Sequence, residues 1–344
     1  MKALVFTDKG RPTVEERPRP TMLAATDAIV KLVKTTICGT DLHILNGDVA
    51  TCSTGRILGH EGTGIVEAIG ANVTRFQVGD RVIISCITSC SSCEFCCRGL
   101  ASHCTEGGWL LGHTIDGTQA EYVRTPHADG SLHHLVKGAS EDVQVMCSDV
   151  LPTAFECGVL SGCIKPGSSV AIIGGGPVGL CVTITAQLYS PLKLIMITRD
   201  TNRLKIAKDL GATHRVSFGP NAVKEVMELT GGRGVDTVIE AAGVPGTFDL
   251  CQEIVAVGGT IANLGVHGCK VDLHLDKLWH KNIIIATSLV NTSSTGMLLK
   301  LIDSGKIKTD ALLTHRFNFA EILDAYSTFG AAAQHNAVKM VINF

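Results

Sequence analysis

Four cysteines within fifteen residues, Cys90, Cys93, Cys96 and Cys104, are the densest group of metal-binding side chains in this sequence. They read C-S-S-C-E-F-C-C-R-G-L-A-S-H-C, a C-x2-C-x2-C-x7-C spacing. Thiolates this close on one loop can wrap a tetrahedral Zn2+, and four sulfurs leave no position for a substrate. The alternative is four free thiols, or two disulfides in a secreted protein. Cys97 is left over, because its side chain would point away from a metal held by Cys96. Such a zinc is structural, so the chemistry has to lie elsewhere.

A second constellation is the run Val170-Ala-Ile-Ile-Gly174-Gly-Gly176-Pro177-Val178-Gly179. It places G-x-G-x-x-G directly after an apolar strand and before an apolar helix, Leu180–Leu188. Gly174 permits the tight turn, Gly176 lets a pyrophosphate approach the backbone, and Gly179 lets the helix pack on the sheet. Pro177 suits the first helical turn, and the free N–H groups there favour phosphates. A second strand ends at Thr198-Arg199-Asp200. An NAD site wants a carboxylate at that strand end to accept from the ribose hydroxyls. Counting back from a helix expected near Arg203, Thr198 holds that position. A small hydroxyl followed by Arg199 and Arg203 suits a 2′-phosphate, so the balance tips to NADP over NAD. Asp200 is the competing carboxylate.

Three shorter motifs are bland alone: Cys38-Gly-Thr40-Asp41-Leu-His43, Gly59-His60-Glu61, and Ser148-Asp149-x-x-Pro152-Thr153. With the cysteine lobe and the glycine loop they make five motifs in order. That order resembles the zinc-dependent medium-chain alcohol dehydrogenases over essentially the whole chain. The resemblance implies a catalytic Zn2+ held by Cys38, His60 and Asp149, so two zincs per chain. Glu61 is a further candidate ligand or a neighbouring anchor, and Asp41 would orient His60. Asp149 stands where the family often has cysteine, which looks like the branch acting on secondary alcohols and ketones. Some formaldehyde dehydrogenases share it, so a formaldehyde or primary-aldehyde dehydrogenase is the nearest rival.

On the same resemblance, Thr40 is the relay hydroxyl, and His43 is the histidine that passes the alcohol proton on through the cofactor ribose. A zinc can lower the pKa of a bound hydroxyl to roughly 7, which is why the family needs such a relay. Gly265, Val266 and Leu289 are expected at the cofactor. Cys86, Trp109 and Leu289 are expected as pocket walls, all apolar, which suits a small alcohol or its carbonyl. The family forms dimers and tetramers, so a homotetramer or homodimer is expected, with the strand near Ile283–Ala286 a candidate edge. Zinc-free quinone reductases of the superfamily are disfavoured because all three zinc ligands are present.

The elements that must position these residues fall into two patterns. At 344 residues the chain exceeds a usual single core. Short β-like runs separated by glycine-rich loops fill the first part: Ala28–Ile37, Gly62–Ile69, Asp80–Ser85 and Ala120–Arg124. From about Leu151, strands alternate with helices as in a doubly wound parallel sheet. The expected fold is thus α/β: a GroES-like β-rich catalytic domain (1–150 and 291–344, with the zinc lobe at 90–104) plus a Rossmann domain (151–290). The final strand, Ala337–Ile342, looks like one that rejoins the first domain. A net charge of −2 without a basic block argues against nucleic acid, and against a non-enzymatic zinc-ribbon binding module. No run approaches the ~20 apolar residues of a membrane span, so no membrane partner is expected. Ten further cysteines are scattered. They suit a reducing compartment, the cytosol, with an organelle matrix as the alternative.

Overall fold

Runs of β-branched residues that alternate between faces build the first sheet. The computed structural model describes residues 1–7 and 10–344. β1 (Lys2–Phe6) pairs antiparallel with β2 (Pro12–Glu16). The nine-residue β3 (Ala28–Thr36) pairs antiparallel with β4 (Gly62–Ile69) and with β6 (Tyr122–Thr125). β5 (Arg81–Ile84) adds to β4, and β7 (Leu132–His134) to β5. β3, β4, β5 and β6 sit within a residue or two of the runs expected from the sequence, whereas β2 and β7 were not anticipated.

A parallel sheet follows: β8 (Ser169–Ile173), β9 (Lys193–Thr198), β10 (His214–Ser217), β11 (Val235–Glu240), β12 (Val255–Asn263) and β13 (Ile284–Thr287). Its order is β10-β9-β8-β11-β12-β13, every pair parallel. Parallel strands covered on both faces need continuous apolar runs. Ala171, Ile173, Ile195, Ile197, Val238 and Ile261 accordingly lie in one buried cluster. The order reverses between β8 and β11, and the crevice beyond the carboxyl ends at such a point is where α/β sheets take ligands. β10 was not anticipated. Nor was the seven-residue π-helix Ala154–Leu160, an i→i+5 winding that hydrophobic periodicity does not encode.

The chain then returns to its first sheet. β14 (Leu313–Asn318) runs parallel to β15 (Lys339–Asn343), and β15 pairs antiparallel with β3. Order along that sheet is β14-β15-β3-β4-β5-β7. Contacts divide the chain into Met1–Pro152 with Asn291–Phe344, and Thr153–Val290. In the first unit Leu4, Ile37, Ile44, Phe319, Met340 and Ile342 share one core, and Val30, Val66, Val82, Ile84 and Leu132 another. Among the described residues no single helix is long and apolar enough to cross a membrane.

Candidate metal centres and dinucleotide loop

Cys38 lies just past the end of β3 and caps the helix Gly39–Asn46 with extended backbone. Its N–H donates to Asp41 Oδ2 at 2.9 Å, the acidic residue three positions on. This local closure aims the thiol inward. His60 and Glu61 immediately precede β4, and Asp149 ends a 3₁₀ turn, Val145–Ser148. One ligand atom from each of Cys38, His60, Glu61 and Asp149 lies within 4.8 Å of every other. Cys38 Sγ is 3.6 Å from Asp149 Oδ2, and His60 Nε2 is 3.4 Å from the same oxygen. Ligands bound to zinc at ~2.0–2.3 Å on tetrahedral corners stand ~3.3–3.8 Å apart, so the spacing fits. Thiolate, imidazole and carboxylate are also a zinc donor set.

The electrostatics agree. Burial and the neighbouring Asp149 push the Cys38 thiol up. Burial opposes a charged His60, yet hydrogen bonding to Asp149 and Cys38 outweighs it and raises the imidazole well above its ordinary value. Protons crowd where a cation would relieve them. Asp41 Oδ1 and His60 Nδ1 are both buried without a hydrogen-bond partner and face each other at 3.8 Å. A carboxylate there would orient the imidazole with Nε2 toward Asp149, where a metal could be held. Asp41 is in turn held by Gln119 Nε2 at 3.2 Å, whose Oε1 accepts from Tyr326 at 2.8 Å.

Glu61 is engaged on both oxygens. Thr36 Oγ1 donates to Oε2 at 2.6 Å, and Lys339 Nζ donates to Oε1 at 2.6 Å. Lys339 is 1% exposed, also bonds the Ile37 carbonyl at 3.2 Å, and is held strongly protonated by Glu61 against its own burial. These bonds favour the anchoring role over metal ligation for Glu61. Cys86 Sγ lies 3.5 Å from Asp149 Oδ1, and the Trp109 ring stands edge-on to His60 at 6.4 Å. Both therefore border the cluster. Leu289 lies in the other unit and is exposed. Thr40 Oγ1 is 3.7 Å from Cys38 Sγ, and His43 Nδ1 is 2.8 Å from Asp48 Oδ2.

Cys90, Cys93, Cys96 and Cys104 converge in the same way. Cys90 and Cys96 sulfurs are 4.0 Å apart, and the N–H groups of Cys93 and Cys90 point at Cys90 and Cys104 sulfurs, each at 3.3 Å. Backbone N–H groups of Cys96 and Thr105 bring the Cys93 thiol down to about 5. Cys97 turns away, its sulfur on the Ser92 carbonyl at 3.4 Å.

At the parallel sheet, Gly174 takes φ +112°, and a Cβ there would lie 2.7 Å from the Ala241 carbonyl. A Cβ on Gly179 would lie 1.9 Å from the Gly174 carbonyl oxygen. Gly176 caps the helix Pro177–Ala186, with Pro177 and Val178 in its first turn, and a Cβ on it would meet only Arg203 Nη1 within 4 Å. The loop is thus an open cradle beside a guanidinium, and Arg203 also bonds the Gly175 carbonyl at 3.3 Å. A cavity of about 230 Å³ opens beside it, lined by Gly174, Thr198, Arg199, Phe218 and Thr247 among others. Arg199 stacks over Phe218 at 4.9 Å.

Asp200 is the N-cap of Thr201–Asp209. Its Oδ1 accepts from Asn202 and Arg203 N–H at 2.9 and 3.1 Å, and its Oδ2 is 3.3 Å from Arg203 Nε. The helix begins earlier than the sequence reading placed it, because the cap signal belongs to Asp200. Gly265 N–H donates to the Glu240 carbonyl at 3.1 Å, while Val266 is exposed. Sequence reasoning missed Glu240, a fully buried carboxylate that accepts from Ala242 and Gly243 N–H at 3.0 and 2.9 Å and from the Thr247 hydroxyl at 2.6 Å. It also missed Lys339, whose only signal was one lysine at the start of an apolar strand.

Residues 24–137 match the profile described as alcohol dehydrogenase GroES-like domain, and residues 177–304 that of zinc-binding dehydrogenase. An alcohol dehydrogenase from Cupriavidus necator is 36% identical over 99% of this chain and 98% of its own. The chain belongs to the zinc-dependent medium-chain alcohol dehydrogenases. A solved apo structure, zinc dependent alcohol dehydrogenase 2 from Streptococcus pneumonia, is 51% identical with a TM-score of 0.96, covering 100% of this chain and 98% of that one. A probable NADP-dependent isopropanol dehydrogenase from Mycoplasma pneumoniae is 28% identical, covering 100% of each chain. As a member of this family the chain is an oxidoreductase that uses zinc and a nicotinamide cofactor on alcohol or carbonyl substrates.

Proposed function

We propose that this dehydrogenase carries two zincs, prefers NADP, and interconverts small secondary alcohols and ketones. The observation that carries the reading is the convergence of Cys38, His60 and Asp149 on one point, with the Thr40 hydroxyl beside it. These three side chains would hold the catalytic metal, and the four lobe cysteines the structural one. When bound, zinc supplies a Lewis acid that acidifies the alcohol, and the nicotinamide accepts the hydride. Asp149 gives the site one hard oxygen donor in place of a sulfur. Thr40 Oγ1 would take the alcohol proton and release its own toward His43, which lies three residues on along the same helix face. Apolar Cys86 and Trp109 offer no clamp for an acid or phosphate.

The NADP preference rests on Asp200 being committed to its helix cap, while Thr198 and Arg199 line the cavity where a 2′-phosphate would sit. A charge-assisted hydrogen bond is worth ~1.5–3 kcal/mol, so Arg199→Ala is expected to raise the NADP Michaelis constant about ten- to a hundredfold and leave that of NAD unchanged. A dimeric or tetrameric assembly and a cytosolic location belong to the same reading. Steady-state rates with propan-2-ol, ethanol and formaldehyde, each with NAD and NADP, test it. A higher kcat/KM for propan-2-ol with NADP supports the reading. Preference for formaldehyde or for NAD overturns that half of it.

A further inference from the structure

The helix Gly39–Asn46 ends at Gly47, which takes φ +84°. Gly47 N–H donates to the Ile44 carbonyl at 3.0 Å, and Asp48 N–H reaches back to the His43 carbonyl at 2.9 Å. This is the Schellman closure, which apposes the side chain two beyond the helix end with one in the last turn. That contact is commonly apolar. Here it joins Asp48 to His43, with Oδ2 2.8 Å from Nδ1. An ionised carboxylate only accepts, so the hydrogen must sit on Nδ1. In a neutral imidazole Nε2 is then bare, and no protein group among the described residues hydrogen-bonds it.

We propose that Asp48 is a positioning residue for proton transfer, holding His43 as the Nδ1–H tautomer with Nε2 turned into the proton acceptor. The inference rests on reading His43 as the relay. When the proton that the alcohol releases by way of Thr40 arrives at Nε2, both ring nitrogens carry hydrogen and the ring is positive, opposite Asp48. The proton then leaves from Nε2 to water or a buffer base. Both side chains are more than a third exposed, so the pair contributes little to folding. Its effect belongs in tautomer and rate rather than in stability.

Two-bond spectra of the zinc-loaded enzyme with 15N-labelled histidine read the tautomer directly, the His43 signal being assigned by its loss in His43→Gln. The wild type is expected to show the Nδ1–H form, and Asp48→Asn a mixture. Asp48→Asn should lower kcat for propan-2-ol oxidation about two- to fivefold with KM unchanged. Added imidazole should restore the rate, and Asp48→Glu should keep it. An Nε2–H tautomer in the wild type overturns the inference without need of any variant. So does wild-type kinetics in Asp48→Asn while His43→Gln is slow. If His43→Gln itself turns over normally, the relay reading has failed and Asp48 has nothing to position.

Discussion

The lobe and the Cys38 centre are built from overlapping ligand types, yet they are supported in opposite ways. The lobe draws its four sulfurs from one short segment, and its supporting bonds come mainly from the N–H groups of that same segment. The Cys38 centre joins residues up to 111 positions apart and leans on further side chains: Asp41, Gln119 and Tyr326 behind His60, and Thr36 and Lys339 around Glu61. A loop that saturates its metal with sulfur needs no outer support. A site that must keep one position open needs its few ligands held from outside. On the proposed reading, the difference separates a stabilising metal from a working one.

The sharpest way to break that distinction is Asp149→Ala. Losing a ligand removes several kilocalories per mole of Lewis-acid stabilisation, so alcohol oxidation should fall about a thousandfold or more while thermal unfolding barely moves. Full activity would merge the two centres in kind. Lys339→Met comes next. It leaves Glu61 buried near Asp149 without its cation, a loss typically of ~3–5 kcal/mol, and should also loosen metal at the Cys38 centre. Denaturant titration with and without zinc measures both. A variant as stable as wild type would show that the buried pair is not a support. Cys93→Ser should instead lower the melting temperature by about 5–10 °C with kcat per folded molecule unchanged. Smallest of all is Cys97→Ser, which should change neither metal content nor melting temperature, since that sulfur faces the Ser92 carbonyl.

The same contrast explains what could be read from the sequence. The lobe and the glycine loop were legible because their ligands and turns are local, and spacing alone encodes them. Cys38, His60 and Asp149 are each unremarkable, and only the ordered set of motifs picked them out. Lys339 and Glu61, 278 residues apart, meet because β15 returns to pair with β3, a long-range event no window registers. Asp200 shows a subtler limit. Its type suited both a ribose acceptor and a helix cap, and the cap became visible only through the backbone N–H groups of Asn202 and Arg203. The apposition of Asp48 with His43 likewise needed the left-handed Gly47 to become visible.

Zinc counting by native mass spectrometry is the most direct test that the chain holds two centres of different kind. Wild type should carry two zincs per chain, Asp149→Ala one, and Cys93→Ser one, with only the Cys93 variant still turning over alcohol. A single zinc in the wild type, or two retained in Asp149→Ala, would contradict the account.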